Sequence, residues 1–260
     1  MPWAALVALA VAALAIGVLR LRRRAVALET RLDEASRDLE SLQRAFTRFA
    51  PAEVVERIIA QGVSTNSEKK EITVLFADLK GFTPLAERLD PALLVQVLNG
   101  YFERMSRAID GHRGHVAKFI GDGILALFGA LESNPWQTND AVHAALAMRA
   151  ALAEYNATLT ADGVPALAMG IGIHRGPVVA GVIGSAELME YGVIGSTVNV
   201  ASRVERLTRT HGVDVLVTDA VREGLDRRFH LRAMPAAEVR GLPGALTTFA
   251  VEGVEEPPLG

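Results

Sequence analysis

Two aspartates stand where apolar, β-type runs of this sequence end or turn. Asp78 follows the run Ile72–Ala77, and Asp122 lies between Gly121 and Gly123 inside a second apolar stretch. An Asp-Gly pair between apolar runs is a strong signal for a β-hairpin. If the two strands are neighbours in one sheet, both carboxylates reach the same end of it, where they would bind a hard divalent cation such as Mg²⁺.

A turn and a helix add groups that suit a phosphate. The turn Gly81–Thr83 comes just after the first aspartate, so its backbone N–H groups could hold a phosphate while the acid holds a metal. Asn199 and Arg203 are four residues apart on a predicted helix and therefore share one face. An amide beside a guanidinium suits a sugar–phosphate group that gains charge during a reaction.

Each of these features also has an ordinary structural explanation. An aspartate at a strand end is often a turn former, and Lys118, four residues before Asp122, could be a solvated charge on a sheet edge. Asn199 and Arg203 could form a surface hydrogen-bond pair. From the residues alone, the sequence indicates a site for a divalent metal and a phosphate, in a protein that could be an enzyme.

The elements that would position these groups alternate between strands and helices. The predicted strands are 72–77, 116–120, 124–128, 166–173, 177–183, 191–194, 213–217, 229–232 and 247–251. The predicted helices begin at Pro84 or span 91–109, 141–156, 196–210 and 218–223. The region of Asn139 and Asp140 is the predicted cap of the helix at 141–156. This order predicts an α+β domain whose sheet is mixed and largely antiparallel, closer to a ferredoxin-like βαββαβ core than to a doubly wound fold.

Composition excludes several classes of function. The chain has 260 residues, of which 50% are hydrophobic and 22% charged, so it can form one large domain and a small additional segment. The absence of cysteine excludes disulfides, thiolate metal sites and cysteine nucleophiles. A net charge of −3 gives no bulk electrostatic argument for a nucleic-acid partner, and we expect none.

The N-terminus carries the apolar excess. Residues 3–19 contain no charged side chain, and four arginines follow within 20–24. A span needs about 17–25 apolar residues, and the positive-inside rule places the arginines in the cytoplasm. We therefore expect a single-pass anchor with a basic stop at 1–24, in the cell inner membrane, with the rest of the chain cytoplasmic. A cleaved signal peptide or an Ala-rich helix lying on a surface is the alternative.

A heptad pattern follows the expected anchor. Apolar residues recur at steps of four and three, at Leu28, Leu32, Ala35, Leu39, Leu42, Phe46 and Phe49. This pattern predicts a short parallel coiled coil over 25–50 that pairs two chains, although an ordinary amphipathic helix packed on the domain would show it too. The predicted organisation continues with a connecting helix and linker at 51–67, the main domain at 68–253 and a tail at 254–260.

Four motifs occur in a characteristic order: VLFADLKGFT, KFIGDGILALFG, GIGIHRGPVVAGVIG and YGVIGSTVNVASRVE. Together they resemble the class III nucleotidyl cyclases, the adenylyl and guanylyl cyclase catalytic domain, over roughly Glu68 to Gly253. With the N-terminal segment, the chain is similar to the bacterial membrane-anchored adenylate cyclase type. The resemblance implies the fold of that catalytic domain, preceded by a transmembrane helix and a short coiled coil.

The resemblance also implies a metal site and a phosphate site. Asp78, Asp122 and the backbone carbonyl of Leu79 match the ligands of two divalent metal ions, Mg²⁺ or Mn²⁺. Phe82 and Thr83, in the turn after the first aspartate, are the predicted phosphate contacts. The implied reaction is attack of the ribose 3′-oxygen on the α-phosphorus of ATP, giving 3′,5′-cyclic AMP and pyrophosphate.

Further positions match groups that hold the nucleotide. Lys118 matches the purine-reading position, where a lysine favours adenine, whereas Asn199 matches the residue that orients the ribose. Arg203 matches the group that stabilises the pentavalent phosphorus, and Arg240 is a weaker match to a basic residue at the terminal phosphates. Such a site forms between two subunits, one giving the aspartates and the other Lys118, Asn199 and Arg203, so the resemblance implies a homodimer.

One position departs from the family pattern. A second purine-selecting residue, usually Asp or Thr in adenylyl cyclases, is here Gly192, which has no side chain. A site that lacks one hydrogen-bond partner discriminates less well. A guanylate or mixed-specificity cyclase is therefore the first alternative to an adenylate cyclase, and a catalytically silent cyclase-like signalling module is the second.

Overall fold

The computed structural model describes residues 17, 22, 28–37, 39, 67–185, 189–238 and 244–255 of the chain. The chain divides into two compact units, Met1–Gly62 and Val63–Gly260. In the first unit, residues 28–37 are helical and exposed. The remaining heptad positions from Leu42 onward, the connecting helix and almost all of the expected anchor lie outside the described residues. Among the residues described, no helix is long and apolar enough to cross a membrane.

The second unit alternates strands and helices. Its elements are β1 (Glu68–Lys80), α1 (Phe82–Ala86), α2 (Pro91–Asp110), β2 (Gly114–Ile120), β3 (Gly123–Phe128), α3 (Gln137–Ala161), β4 (Ala168–Gly184), β5 (Met189–Ile194), α4 (Ser196–His211), β6 (Val215–Thr218), α5 (Asp219–Arg222), β7 (Phe229–Ala233), β8 (Ala237–Glu238), β9 (Ala245–Leu246) and β10 (Thr248–Val254). The predicted α+β class is confirmed.

The main sheet has the order β2-β3-β1-β4-β6-β10-β7, with β5 paired to β4. Its described pairings are antiparallel except for β4 with β6. The prediction of two strands at 166–173 and 177–183 was wrong, because β4 runs unbroken through Gly176 and Pro177. Strand β1 begins at Glu68 and pairs with β4 along its whole length, so the Gly-Pro step needs no turn.

The third helix begins earlier than predicted, at Gln137, with Trp136 in the N-cap position. Asp140 was expected near the cap but is buried inside the helix. Its carboxylate accepts hydrogen bonds from Arg113 and Asn134, both at 2.6 Å. Asp140 therefore forms a long-range ion pair with Arg113 instead of capping the helix.

The sheet is covered on both faces. One apolar cluster joins α2 and α3 to the sheet through buried residues that include Tyr101, Met105 and Met148. A second cluster, with Ile72 and Ala201 among its members, lies on the face covered by α4. Helix α4 approaches β4 closely because Gly172 has no side chain, and a Cβ there would lie 2.1 Å from the backbone nitrogen of Glu205.

Gly172→Ala is expected to destabilise the domain. The methyl group would meet helix backbone that cannot rotate away, and overpacking of this kind costs about 1–3 kcal/mol. Urea denaturation of the variant and the wild type measures the difference. Gly253→Ala is the matched control, since a Cβ at Gly253 meets no atom of the described residues within 4 Å. Equal stability of the Gly172 variant and the wild type would contradict the close approach.

Candidate active site

The pairing of β1 with β3 brings the two aspartates together. Ala77 lies opposite Ile124, so the hairpin turn that carries Asp122 lies beside Asp78. A Cβ on Gly123, next to Asp122, would be 3.3 Å from Asp78 Oδ1. Burial, together with the charge of Asp78, raises the pKa of the Asp122 carboxyl. This end of the sheet therefore holds two acidic groups that repel each other and favour a bound cation.

A cationic side chain already lies at this acidic end. Arg209, in the last turn of α4, places Nη2 2.8 Å from Asp78 Oδ2 and 3.3 Å from the carbonyl oxygen of Leu79. One positive group thus contacts two of the three predicted metal ligands. Carboxylate and carbonyl oxygens are hard donors of the kind that Mg²⁺ and Mn²⁺ prefer. The donor set and its attraction for a cation fit a divalent metal, although the ligand role of these residues stays a prediction.

Arg209 also joins this site to a buried acid. Its Nη1 donates to Glu205 Oε1 at 2.6 Å, and only 3% of Glu205 is exposed. Burial raises the pKa of Glu205 to about 7, Arg209 opposes that rise and the charge of Asp78 adds to it. Sequence reasoning missed both residues, although their spacing of four on the predicted helix was a signal that they share a face.

Glu205→Gln is expected to change how stability depends on pH. Because the folded-state pKa is raised, the contribution of Glu205 to stability is fully present below its ordinary pKa of 4.5 and is lost as pH rises through about 7. Glutamine stays neutral, so the free energy of unfolding of the variant should not show this loss. Its difference from the wild type should therefore shift in favour of the variant by on the order of 1–3 kcal/mol as pH rises from about 5 to about 8. Urea denaturation across that range measures the change.

The matched control for this prediction is Glu103→Gln. Glu103 pairs with Arg107 at the same i,i+4 spacing but is exposed to solvent. A stability difference between the Glu205 variant and the wild type that stays constant with pH would contradict the prediction.

The predicted phosphate turn is only partly accessible. Gly81 adopts a left-handed conformation, with φ 67°, and serves as the N-cap of α1. The side chain of Phe82 is buried in the core, so it cannot contact a substrate, and only its backbone is available for a phosphate. Thr83 is exposed at the surface. Arg240 lies outside the described residues.

Asn199 and Arg203 do not join the aspartates within one chain. They are exposed or half-buried on α4, whereas Glu205 and Arg209 point toward Asp78. With 3.6 residues per turn, the six-residue separation of Arg203 from Arg209 places them about 120° apart around the helix axis. Among the described residues, neither Asn199 nor Arg203 hydrogen bonds to either aspartate.

The predicted purine-reading residues lie where β2 approaches β5. Lys118 Nζ is 2.8 Å from Oε1 of Glu190, and both side chains are about half exposed. Gly192 follows on β5, and among the described residues a Cβ there would contact only Cδ1 of Ile183, at 3.4 Å. Sequence reasoning selected Lys118 and Gly192 but missed Glu190, which directly precedes Tyr191, the first residue of the fourth motif.

Known proteins are similar to this chain in sequence and in fold. The family described as the adenylate and guanylate cyclase catalytic domain matches residues 64–253. An adenylate cyclase from Anabaena cylindrica is 34% identical over 237 residues, which cover 87% of this chain and 45% of that relative. The chain spans less than half the length of the curated relatives it matches.

Solved structures agree with this match. The guanylyl cyclase Cya2 has a TM-score of 0.70 and 37% identity, covering 74% of this chain and 97% of that chain. The adenylyl cyclase CyaB from P. aeruginosa has a TM-score of 0.68 and 26% identity, covering 74% and 98%. The motifs, the paired aspartates and these likenesses agree, and the chain belongs to the family of the adenylate and guanylate cyclase catalytic domain.

Proposed function

We propose that this protein is an adenylate cyclase that converts ATP into 3′,5′-cyclic AMP and pyrophosphate. The observation that carries the proposal is the convergence of Asp78 and Asp122 at one end of the sheet. The guanidinium of Arg209 contacts Asp78 there, so the site attracts positive charge. Membership of the cyclase family and the likeness to an adenylate cyclase support it.

The chain would hold two divalent ions, Mg²⁺ or Mn²⁺, through the carboxylates of Asp78 and Asp122 and the carbonyl oxygen of Leu79. When bound, such ions lower the pKa of the ribose 3′-hydroxyl and neutralise the triphosphate. The backbone of Phe82 and the exposed Thr83 lie just beyond these ligands and would contact the phosphates. Arg240 would contact the terminal phosphates from another part of the chain.

The site would be shared between the two chains of a homodimer. Among the described residues, neither Asn199 nor Arg203 hydrogen bonds to an aspartate of its own chain, so both are available to a partner's site. Asn199 would orient the ribose, and Arg203 would donate to phosphoryl oxygens that gain charge in the transition state. The exposed apolar side chains of Phe119, Ile120 and Ile194 support a partner surface near β2 and β5.

Lys118 would donate a hydrogen bond to a ring nitrogen of the purine, which favours ATP. Gly192 adds no second contact, and the solved structure of Cya2, at 37% identity, is called a guanylyl cyclase. A guanylate or mixed-specificity cyclase is therefore the second candidate function.

We extend the proposal to the N-terminal region, as a single-pass anchor at 1–24 in the cell inner membrane, followed by a coiled coil at 25–50 and a cytoplasmic catalytic domain. Leu28, Leu32 and Leu39 are largely exposed, which leaves an apolar stripe that a second helix would cover. The uncharged run at 3–19 and the arginines that follow it support the anchor.

Turnover of ATP and of GTP by the purified full chain, with Mg²⁺ and then with Mn²⁺, tests the proposal. We expect cyclic AMP as the main product. Comparable amounts of cyclic AMP and cyclic GMP, or a preference for GTP, would favour the mixed-specificity or guanylate candidate. No product with either metal would favour a catalytically silent signalling module.

A further inference from the structure

A β-bulge turns Lys118 toward β5. In the pairing of β2 with β3, His115 lies opposite Leu127 and Lys118 opposite Leu125, and the register shifts between Val116 and Lys118. The extra residue at the bulge changes the alternation of faces, so Lys118 shares a face with His115. Without the bulge, a separation of three residues would place these two side chains on opposite faces.

Strand β5 is held against this hairpin. The hydroxyl of Tyr191 donates to the carbonyl oxygen of Ala130 at 2.9 Å, and its ring lies 6.4 Å from that of His115. Because side chains alternate along a strand, Glu190 and Gly192 lie on the same face of β5. Glu190 reaches Lys118 Nζ at 2.8 Å, and among the described residues a Cβ at Gly192 would contact Cδ1 of Ile183 alone, at 3.4 Å.

The pair of Lys118 and Glu190 presents a donor beside an acceptor. An exposed ion pair of this kind contributes little to stability. Either side chain can therefore leave its partner and bind a ligand instead, with a small loss of free energy. The edge of adenine has the complementary pattern, because the ring nitrogen N1 accepts a hydrogen bond and the neighbouring exocyclic amino group donates one. Among the described residues, Glu190 is the carboxylate that forms an ion pair with Lys118.

We infer that Glu190 is a specificity-determining residue, whose carboxylate accepts a hydrogen bond from the exocyclic amino group of adenine. It would do so beside Gly192, while Lys118 donates to the ring nitrogen. Guanine presents a carbonyl oxygen where adenine has its amino group, and a carboxylate repels that oxygen. This inference rests on the proposed function and adds an acceptor that the motif position itself lacks.

The test compares ATP with purine riboside triphosphate, which lacks the exocyclic amino group, as substrates of the full-length protein. A hydrogen bond to a charged group corresponds to about 10- to 100-fold in kcat/KM. We expect the wild type to prefer ATP over this analogue by that factor. Glu190→Ala should lose this preference and narrow the ratio of ATP to GTP turnover. Adding Gly192→Asp to that variant should restore the preference, because it returns a carboxylate to the same face of β5 and its Cβ would be in ordinary contact with Cδ1 of Ile183, at 3.4 Å.

The matched control is Glu252→Ala. Glu252, on β10, pairs with Arg232 at 2.6 Å, and this ion pair is about as exposed as that of Lys118 and Glu190. Strand β10 lies toward the opposite end of the strand order from β2. It should keep the wild-type preference for ATP over the analogue. If the wild type makes cyclic AMP but Glu190→Ala retains the full preference, the inference is overturned and the proposed function stands. If the wild type makes no cyclic nucleotide, both are overturned.

Discussion

Asp122→Ala is expected to reduce cyclic AMP formation by at least about 10³-fold, because a metal ion supplies several kcal/mol of transition-state stabilisation and the change removes one of its ligands. The fold should survive. The raised pKa of Asp122 means that the native state disfavours its charged form, mainly through burial and then through Asp78. Removing that charge at neutral pH should leave metal-free stability unchanged or slightly higher.

Initial rates and thermal unfolding, with and without Mn²⁺, measure both parts of this prediction. The wild type should be stabilised by Mn²⁺, and the Asp122 variant should lose most of that response. Asp162→Ala, in the exposed C-cap of α3, is the control for loss of an acidic side chain. Retained turnover in the Asp122 variant would show that the carboxylate pair does not form the reaction centre.

Arg203→Ala is expected to lower kcat by about 10²–10³-fold with little change in KM, as for the loss of a donor that acts mainly in the transition state. Stability should stay near that of the wild type, since Arg203 has no ion pair among the described residues. Arg88→Ala, at another exposed arginine, controls for the loss of surface charge. An increase in KM at unchanged kcat would instead assign Arg203 to ground-state binding.

Mixing the Asp122→Ala and Arg203→Ala proteins tests the shared site directly. In a mixed dimer, one site takes both defects and the other takes none. With equal amounts and random pairing in a two-fold dimer, about one quarter of the wild-type activity should return. Differently tagged chains purified in tandem would prove that mixed dimers form, and their inactivity would rule out a site built from both chains.

Much of the candidate site could be predicted because its signals are local. A strand that ends in Asp78, a hairpin turn at Asp122 and a helix that carries Asn199 and Arg203 all depend on apolar periodicity and on Gly-containing turns. The second helix, predicted at 91–109, spans Pro91–Asp110, with Asp90 accepting from Ala92 at its N-cap. The roles assigned to these residues came from family resemblance and stay predictions.

Other features depend on contacts between distant parts of the chain. Asp78 and Arg209 are 131 residues apart in sequence, and Lys118 and Glu190 are 72 apart. Neither pairing follows from spacing, because each depends on strand register and on the path of α4 across β4. The bulge that turns Lys118 toward β5 likewise exists only in the pairing of β2 with β3.

The sequence by itself determined the class of the fold, the strand–turn–strand unit around Asp122 and the side chains available for chemistry, because these follow from local propensity and residue type. Only the tertiary structure decided which groups meet. It placed Arg209 against Asp78 and Leu79 and buried Glu205 beside that arginine. Among the described residues, it left Asn199 and Arg203 without a hydrogen bond to either aspartate. The physical reason is that such contacts depend on register, helix rotation and burial, which are properties of the packed sheet rather than of any one segment.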